Sequence, residues 1–298
     1  MLARNGTARY ASGKPILVFR SKASGLAPDL FPISIPCSQC VGCRLEYARQ
    51  WSIRCVLESK MHDRNCFITL TYRDLPGKSM DGVSLCDRDR VLFMKKLRKR
   101  FGCDVLFYAA GEYTKAFRPH FHILLFGVDF NDKVYFKLAP SGEKLYRSAV
   151  LEKLWPHGYS SIGNVTFESA GYVARYTMKK VSGIKENDDF RREIEDRGLV
   201  PEFVRMSRGR GIGRAWFEKY RDEVFPLDRV WMREMYMKPP KFFTDLHARD
   251  HPVEVELIKL DRKNSVDMRD QTNVRLDVRE RSKLIDVQRL KKSLEVSK

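Results

Sequence analysis

Between Gly111 and Gly127 the chain runs Gly-Glu-Tyr-Thr-Lys-Ala-Phe-Arg-Pro-His-Phe-His-Ile-Leu-Leu-Phe-Gly. Two histidines one residue apart lead into the apolar run Ile123 to Phe126, which predicts a strand. Alternate strand residues share a face, so His120 and His122 are expected side by side. Val105 to Ala110 reads as a preceding strand ending near Glu112, with residues 113–119 folding back as a hairpin. Two neutral imidazoles and a carboxylate on one edge form a donor set for a divalent cation. Glu112 is the candidate third ligand. A half-buried strand with no ligand would show the same alternation, so the pair must be weighed with the rest of the chain.

The second piece is Gly171-Tyr172-Val173-Ala174-Arg175-Tyr176-Thr177-Met178-Lys179-Lys180. With Ser169 as N-cap it predicts a helix on which Tyr172, Tyr176 and Lys180 form one row. Packing alone can explain two aromatics at that spacing. A phenol of pKa about 10 is a poor nucleophile, so attack on phosphate needs a metal and cations. This chain offers both.

The ordered set is Phe67-Ile68-Thr69-Leu70-Thr71-Tyr72, then His120-Phe121-His122, then Tyr172 and Tyr176 with Lys179 and Lys180. It resembles the HUH endonucleases of the rolling-circle replication initiator class, most closely the gokushovirus-type initiators of the Microviridae. Pro36-Cys37-Ser38-Gln39-Cys40-Val41-Gly42-Cys43-Arg44 and Met206-Ser207-Arg208-Gly209-Arg210-Gly211-Ile212-Gly213 are similar to that family too. The likeness covers roughly residues 34 to 220.

The resemblance implies an antiparallel sheet carrying His120 and His122, with Mg²⁺ or Mn²⁺ as cofactor. It implies nicking of one strand of origin DNA, single-stranded or supercoiled, by tyrosine transesterification. A 5′-phosphotyrosine and a 3′-OH primer would result, and Tyr172 and Tyr176 would be the nucleophiles. For the assisting cation, the family pattern favours Lys179 and the helical row favours Lys180. Host helicase and polymerase enter as partners by resemblance only. Relaxases, which resemble this set, generally place the tyrosine before the histidines; here both tyrosines follow. The competing class is a non-catalytic nucleic-acid-binding protein with zinc on its cysteines, which leaves the histidines and tyrosines unexplained.

The 298 residues carry 56 Lys and Arg against 38 Asp and Glu, a net +18, and 43% are hydrophobic. A chain so basic that still has a core is suited to a polyanion, most simply nucleic acid. No apolar run approaches the roughly 20 residues of a membrane span. No secretory h-region opens the sequence, and seven cysteines are an odd number, so a reducing cytoplasm is expected.

Cys37, Cys40 and Cys43 at CxxCxxC spacing suggest zinc, but structural sites normally use four ligands. Cys55 is excluded if Arg44 to Lys60 is one helix, because twelve residues span about 18 Å. His62, Cys66 or a partner chain could complete the set, and reduced structural cysteines remain the alternative.

Residues 61–185 read as β-α-β-β-α-β followed by the tyrosine helix. This is the ferredoxin-like, split βαβ order of an α+β fold, an antiparallel sheet with helices on one face. Asp87 or Asp89 is expected to cap the first helix of this unit and Gly102 to end it. Its cluster Lys95, Lys96, Arg98, Lys99 and Arg100 is a candidate DNA-backbone contact or a solvated face. Residues 1–60 form an N-terminal segment with the cysteines and a helix. Residues 186–298 form a basic, mainly helical region. Where the two meet, Ser182 to Arg197 reads as a boundary or loop. Arg208, Arg210 and Arg214 lie on a glycine-rich turn near DNA, which lacks the Gly-Lys-Ser/Thr ending of an ATP-binding loop.

Overall fold

The computed structural model describes residues 2–4, 17–18, 30–32, 35–74, 83–102, 104–139, 141–175 and 185–289. Three short strands, β1 (Leu2–Arg4), β2 (Leu17–Val18) and β3 (Leu30–Pro32), pair as a small antiparallel sheet. The long helix α1 (Val41–Ser59) follows. The central unit is β4 (Asn65–Tyr72), α2 (Asp87–Phe101), β5 (Leu106–Tyr113), β6 (Pro119–Phe126), the hairpin β7 (Val134–Leu138) and β8 (Lys144–Arg147), α3 (Ala149–Leu154) and β9 (Gly158–Gly163). Then come α4 (Phe167–Arg175), α5 (Lys185–Asp196) and β10 (Phe203–Met206). The rest of the described chain is α6 (Arg214–Val224), the hairpin β11 (Val230–Met232) and β12 (Met235–Met237), α7 (Lys241–Asp250), α8 (Pro252–Asn264), a 3-10 turn and α9 (Asn273–Arg289).

The main sheet has the order β10-β5-β6-β4-β9-β8-β7, antiparallel throughout. Strands β5-β6-β4-β9 within it are the split βαβ arrangement expected from the sequence. Helices α2 and α3 cover one face, where Phe93, Met94, Leu97, Leu151 and Trp155 pack on Ile68, Leu70, Phe121, Ile123 and Leu125. The opposite face is covered as well. There Ala48 and Cys55 of α1 and Ala170, Val173 and Ala174 of α4 pack on Phe67, Tyr108, Leu124 and Phe126. The two helices inside the βαββαβ unit thus share one face as expected, and the helices flanking the unit take the other. Strand β6 is buried along its whole length, which is why its residues read as an apolar run rather than an alternation.

Several local expectations are corrected. Helix α2 begins at Asp87 with Cys86 at its N-cap and no side-chain cap. Asp87 instead accepts from Arg90, and Asp89 accepts from the Tyr72 hydroxyl. Both carboxylates still lie in the first turn, where the helix dipole favours them. Gly102 ends the helix at φ +105, as expected. Ser169 is not the cap of α4; Thr166 precedes the helix and pairs reciprocally with Ser169, each backbone N–H donating to the other's hydroxyl oxygen. This is a capping-box arrangement, and it moves the helix start upstream.

The stretch expected as a loop after Ser182 contains α5. Its polar face is stitched by Arg191–Asp188, Arg192–Asp189 and Arg197–Glu193 pairs, while Ile194 and Phe190 reach the core. Spacings of three and four residues let such charges support a helix.

The glycine-rich turn packs on α1. Arg54 lies over the rings of Trp51 and Phe242, each 4.0 Å away, and donates to the Ile212 carbonyl at 2.9 Å. Burial holds its guanidinium down at about 10. Gly213, at φ +82, donates its N–H to Glu58, and a Cβ there would stand 3.3 Å from the Arg54 backbone. Glycine at this position serves close packing.

Candidate metal and tyrosine site

The hairpin sets the site. Glu112 lies opposite His120, and Ala110 opposite His122, on the β5–β6 ladder. On the other side of β6, Thr69 of β4 faces His122. Cross-strand partners share a face, so Glu112, His120, His122 and Thr69 converge on the layer covered by α4. Ala110 is small, which leaves room beside His122. Glu112 lies within β5, since the strand runs to Tyr113 rather than ending at Ala110. Tyr113 is fastened by its hydroxyl, which donates to the Val200 carbonyl at 2.9 Å and accepts from the Leu85 N–H at 2.9 Å.

All three donor residues are buried, with Glu112 at 1%, His120 at 3% and His122 at 1% exposure. One ligand atom from each lies within 4.8 Å of the others. The imidazoles meet edge to face with centroids 4.7 Å apart. His120 Nδ1 is 3.2 Å from the Arg118 carbonyl, an acceptor, so this nitrogen carries the proton and Nε2 the lone pair. His122 Nδ1 shares a 3.0 Å hydrogen bond with the Thr69 hydroxyl, and its ring stacks on Phe67. Two oriented imidazoles with a carboxylate fit a divalent cation by chemistry and by spacing.

Tyr172 comes down onto this set from α4. Its hydroxyl is 3.4 Å from His122 Nε2, and the two rings meet at 89° with centroids 5.0 Å apart. Tyr176, Lys179 and Lys180 lie outside the described residues.

The predicted basic residues divide between the two faces. Lys95, Lys96, Lys99 and Arg100 belong to α2, across the sheet from the histidines, and Lys95, Lys99 and Arg100 are exposed there. Arg98 spends its guanidinium on the Val105 carbonyl. The structure does not bring this cluster to the site. The 208–214 turn lies on the histidine side, because Ile212 is buried with α1 and α4. There Arg208 and Arg210 are exposed, and Arg214 pairs with Glu218 at 2.6 Å.

Cys37, Cys40 and Cys43 also cluster, each Sγ within 4.8 Å of the others. Backbone N–H groups of Cys40 and Gln39 hold the Cys37 thiol down at about 7, whereas burial pushes Cys55 and Cys66 up. Neither expected fourth ligand joins them: His62 is engaged with Glu58 at 2.8 Å, and Cys66 is buried in β4.

Thr69 and Arg118 escaped the sequence reading, since a threonine on a strand and a backbone carbonyl carry no motif. Thr69→Val keeps the shape and deletes the hydroxyl that orients His122. It is expected to weaken divalent-metal binding about tenfold, as loss of a ligand's supporting hydrogen bond typically does. Calorimetric titration with Mn²⁺, beside an unchanged denaturation midpoint, checks this.

The family model for replication-associated proteins of the ORF2 type matches residues 65–181, which span β4 to the end of the tyrosine segment. The chain is 33% identical over 246 residues to replication-associated protein VP4 of Bdellovibrio phage phiMH2K, covering 79% of this chain and 74% of that protein. This chain belongs to the phage replication-associated protein family. Replication-associated protein ORF2 of Spiroplasma virus 4 is 34% identical over 222 residues, 70% of this chain and 66% of that protein. Replication-associated protein ORF4 of Chlamydia phage 1 is 27% identical over 229 residues, 72% and 54% of the two chains. No solved structure matches. Among the described residues no helix is long and apolar enough to cross a membrane.

Proposed function

We propose that this family member is a replication initiator that nicks one DNA strand at a phage origin and stays joined to it through tyrosine. The observation that carries the reading is the buried Glu112, His120 and His122 donor set with the Tyr172 hydroxyl 3.4 Å from His122. Glu112, His120 and His122 would hold Mg²⁺ or Mn²⁺, whose charge when bound favours the charge developing on the scissile phosphate. Tyr172 is the attacking residue. Its oxygen forms a bond to phosphorus as the bond to the DNA 3′ oxygen breaks, and the phenolic proton is made good on that leaving oxygen. The products are a 5′-phosphotyrosine and a 3′-OH that can prime a polymerase. The link retains the phosphodiester energy, so rejoining requires no ATP.

Tyr176, four residues further on, would act in the second cleavage, which lets the released 3′-OH resolve the first link. Lys179 and Lys180 are the candidate cations of that segment. The net charge of +18 suits origin DNA as the partner, with the scissile stretch unpaired. The bacterial cytoplasm is the matching compartment, and host helicase and polymerase would extend the primer.

Covalent capture tests the reading. The protein is incubated with Mn²⁺ and a labelled single strand bearing the phage origin, then denatured. Wild type is expected to retain label and Tyr172→Phe/Tyr176→Phe to lose it. Label held by the double variant would exclude tyrosine chemistry, and DNA binding without any adduct would favour a non-catalytic role.

A further inference from the structure

Cys37, Cys40 and Cys43 lie at the start of α1, and the nicking chemistry makes no use of them. The Cys37 and Cys43 sulfurs are 3.8 Å apart. Two thiolates on one tetrahedral zinc, each about 2.3 Å from the metal, stand about 3.8 Å apart. The Cys37 sulfur also accepts backbone N–H groups from Cys40 at 3.2 Å and Gln39 at 3.5 Å. Ser38 makes the required turn at φ +61. Such N–H donors favour a sulfur that carries negative charge.

Cys40 is the N-cap residue of α1 but makes no side-chain cap bond, and the first turn contains no acidic residue. The positive end of this helix dipole is therefore met by sulfur and not by a carboxylate. Three thiols cannot all pair as disulfides with one another. Their exposure differs from that of the buried Cys55 and Cys66, which serve the core.

We propose that Cys37, Cys40 and Cys43 form a three-thiolate zinc site that fixes the beginning of α1. Among the described residues no fourth cysteine or histidine joins the group, so the remaining position belongs to solvent or to a donor outside them. The consequence reaches the tyrosine helix, because α1 packs along α4 through Ala48, Cys55, Ala170, Val173 and Ala174. Zinc bound only to the folded chain stabilises it by mass action. The site is independent of whether the protein nicks DNA.

The full chain, purified reduced from zinc-supplemented medium, is assayed for zinc by mass spectrometry. It is then reconstituted with Co²⁺ to read thiolate-to-metal charge transfer. Wild type and His120→Ala/His122→Ala are each expected to hold about one zinc per chain and to show the cobalt band. Cys37→Ser/Cys40→Ser/Cys43→Ser is expected to lose both, and Cys86→Ser neither. Should the triple variant fail to fold, alkylation of wild type decides, with these three cysteines protected until a chelator is added. Zinc-free wild type lacking the cobalt band, zinc retained by the triple variant, zinc lost with the histidines, or no protection from alkylation would each overturn the proposal. None of these readouts depends on a DNA adduct, so failure here and failure of the nicking reading are distinguishable.

Discussion

His120→Ala/His122→Ala is expected to lower the rate of covalent adduct formation by about a thousandfold, while DNA binding in filter retention stays within a few-fold of wild type. The first half follows from what the two imidazoles do. They are buried, they meet edge to face, and one is oriented by the Arg118 carbonyl and the other by Thr69. Removing both leaves Glu112 alone to hold a cation, and one carboxylate does not make a divalent site. Loss of a single group that stabilises charge in the transition state typically costs about 10²–10³ in rate, so a deletion of both ligands belongs at or beyond the top of that range. The second half follows from the charge. The formal net +18 already counts histidine as neutral, so these substitutions leave the electrostatic attraction to DNA intact. An equal loss of binding and adduct would mean that the histidines serve the fold. Glu112→Gln sharpens the test, since it keeps the volume and removes the charge. It is expected to fall between the double variant and wild type.

The second large effect concerns the residue between the histidines. Phe121→Ala is expected to destabilise the protein by about 3–5 kcal/mol, the usual cost of emptying a fully buried phenylalanine site. Phe121 points to the face opposite the donor set. Its ring lies 6.0 Å from Trp155, 6.2 Å from Tyr72 and 6.2 Å from Phe203, centroid to centroid. Across the ladder stands Gly111, where an added Cβ would come within 3.2 Å of the ring. The neighbours come from β4, β5, β10 and the end of α3, and they cannot all move in to fill the space. Urea denaturation should show a lower midpoint at an unchanged slope. Phe121→Leu, which retains most of the volume, should recover part of the loss. If Phe121→Ala unfolds at the wild-type midpoint, the ring does not hold the strand in place.

The same strand shows what sequence and structure each contribute. Alternation along a strand is local geometry, so His120 and His122 could be placed on one face without knowing what covers that face. The split βαβ order was equally legible, because each element has its own periodicity. The same is true of the stop at Gly102. Local signals misled where another bond took over. Ser169 has the chemistry of a cap, but Thr166 reaches the helix start first. Asp87 and Asp89 stand at the right place to cap α2, but Arg90 and Tyr72 claim them.

What the sequence determined by itself is the donor set, the tyrosine row and the family likeness, since each depends on residue type at fixed spacing along one element. Only tertiary structure decided that α1 and α4 close the histidine face. It decided equally that Tyr172 meets His122, that Thr69 orients that ring, and that the basic cluster of α2 stands across the sheet from the site. Those relations join residues fifty or more positions apart, such as Thr69 with His122 and His122 with Tyr172. They are fixed by which faces bury together, and periodicity within a single element carries no information about its partner.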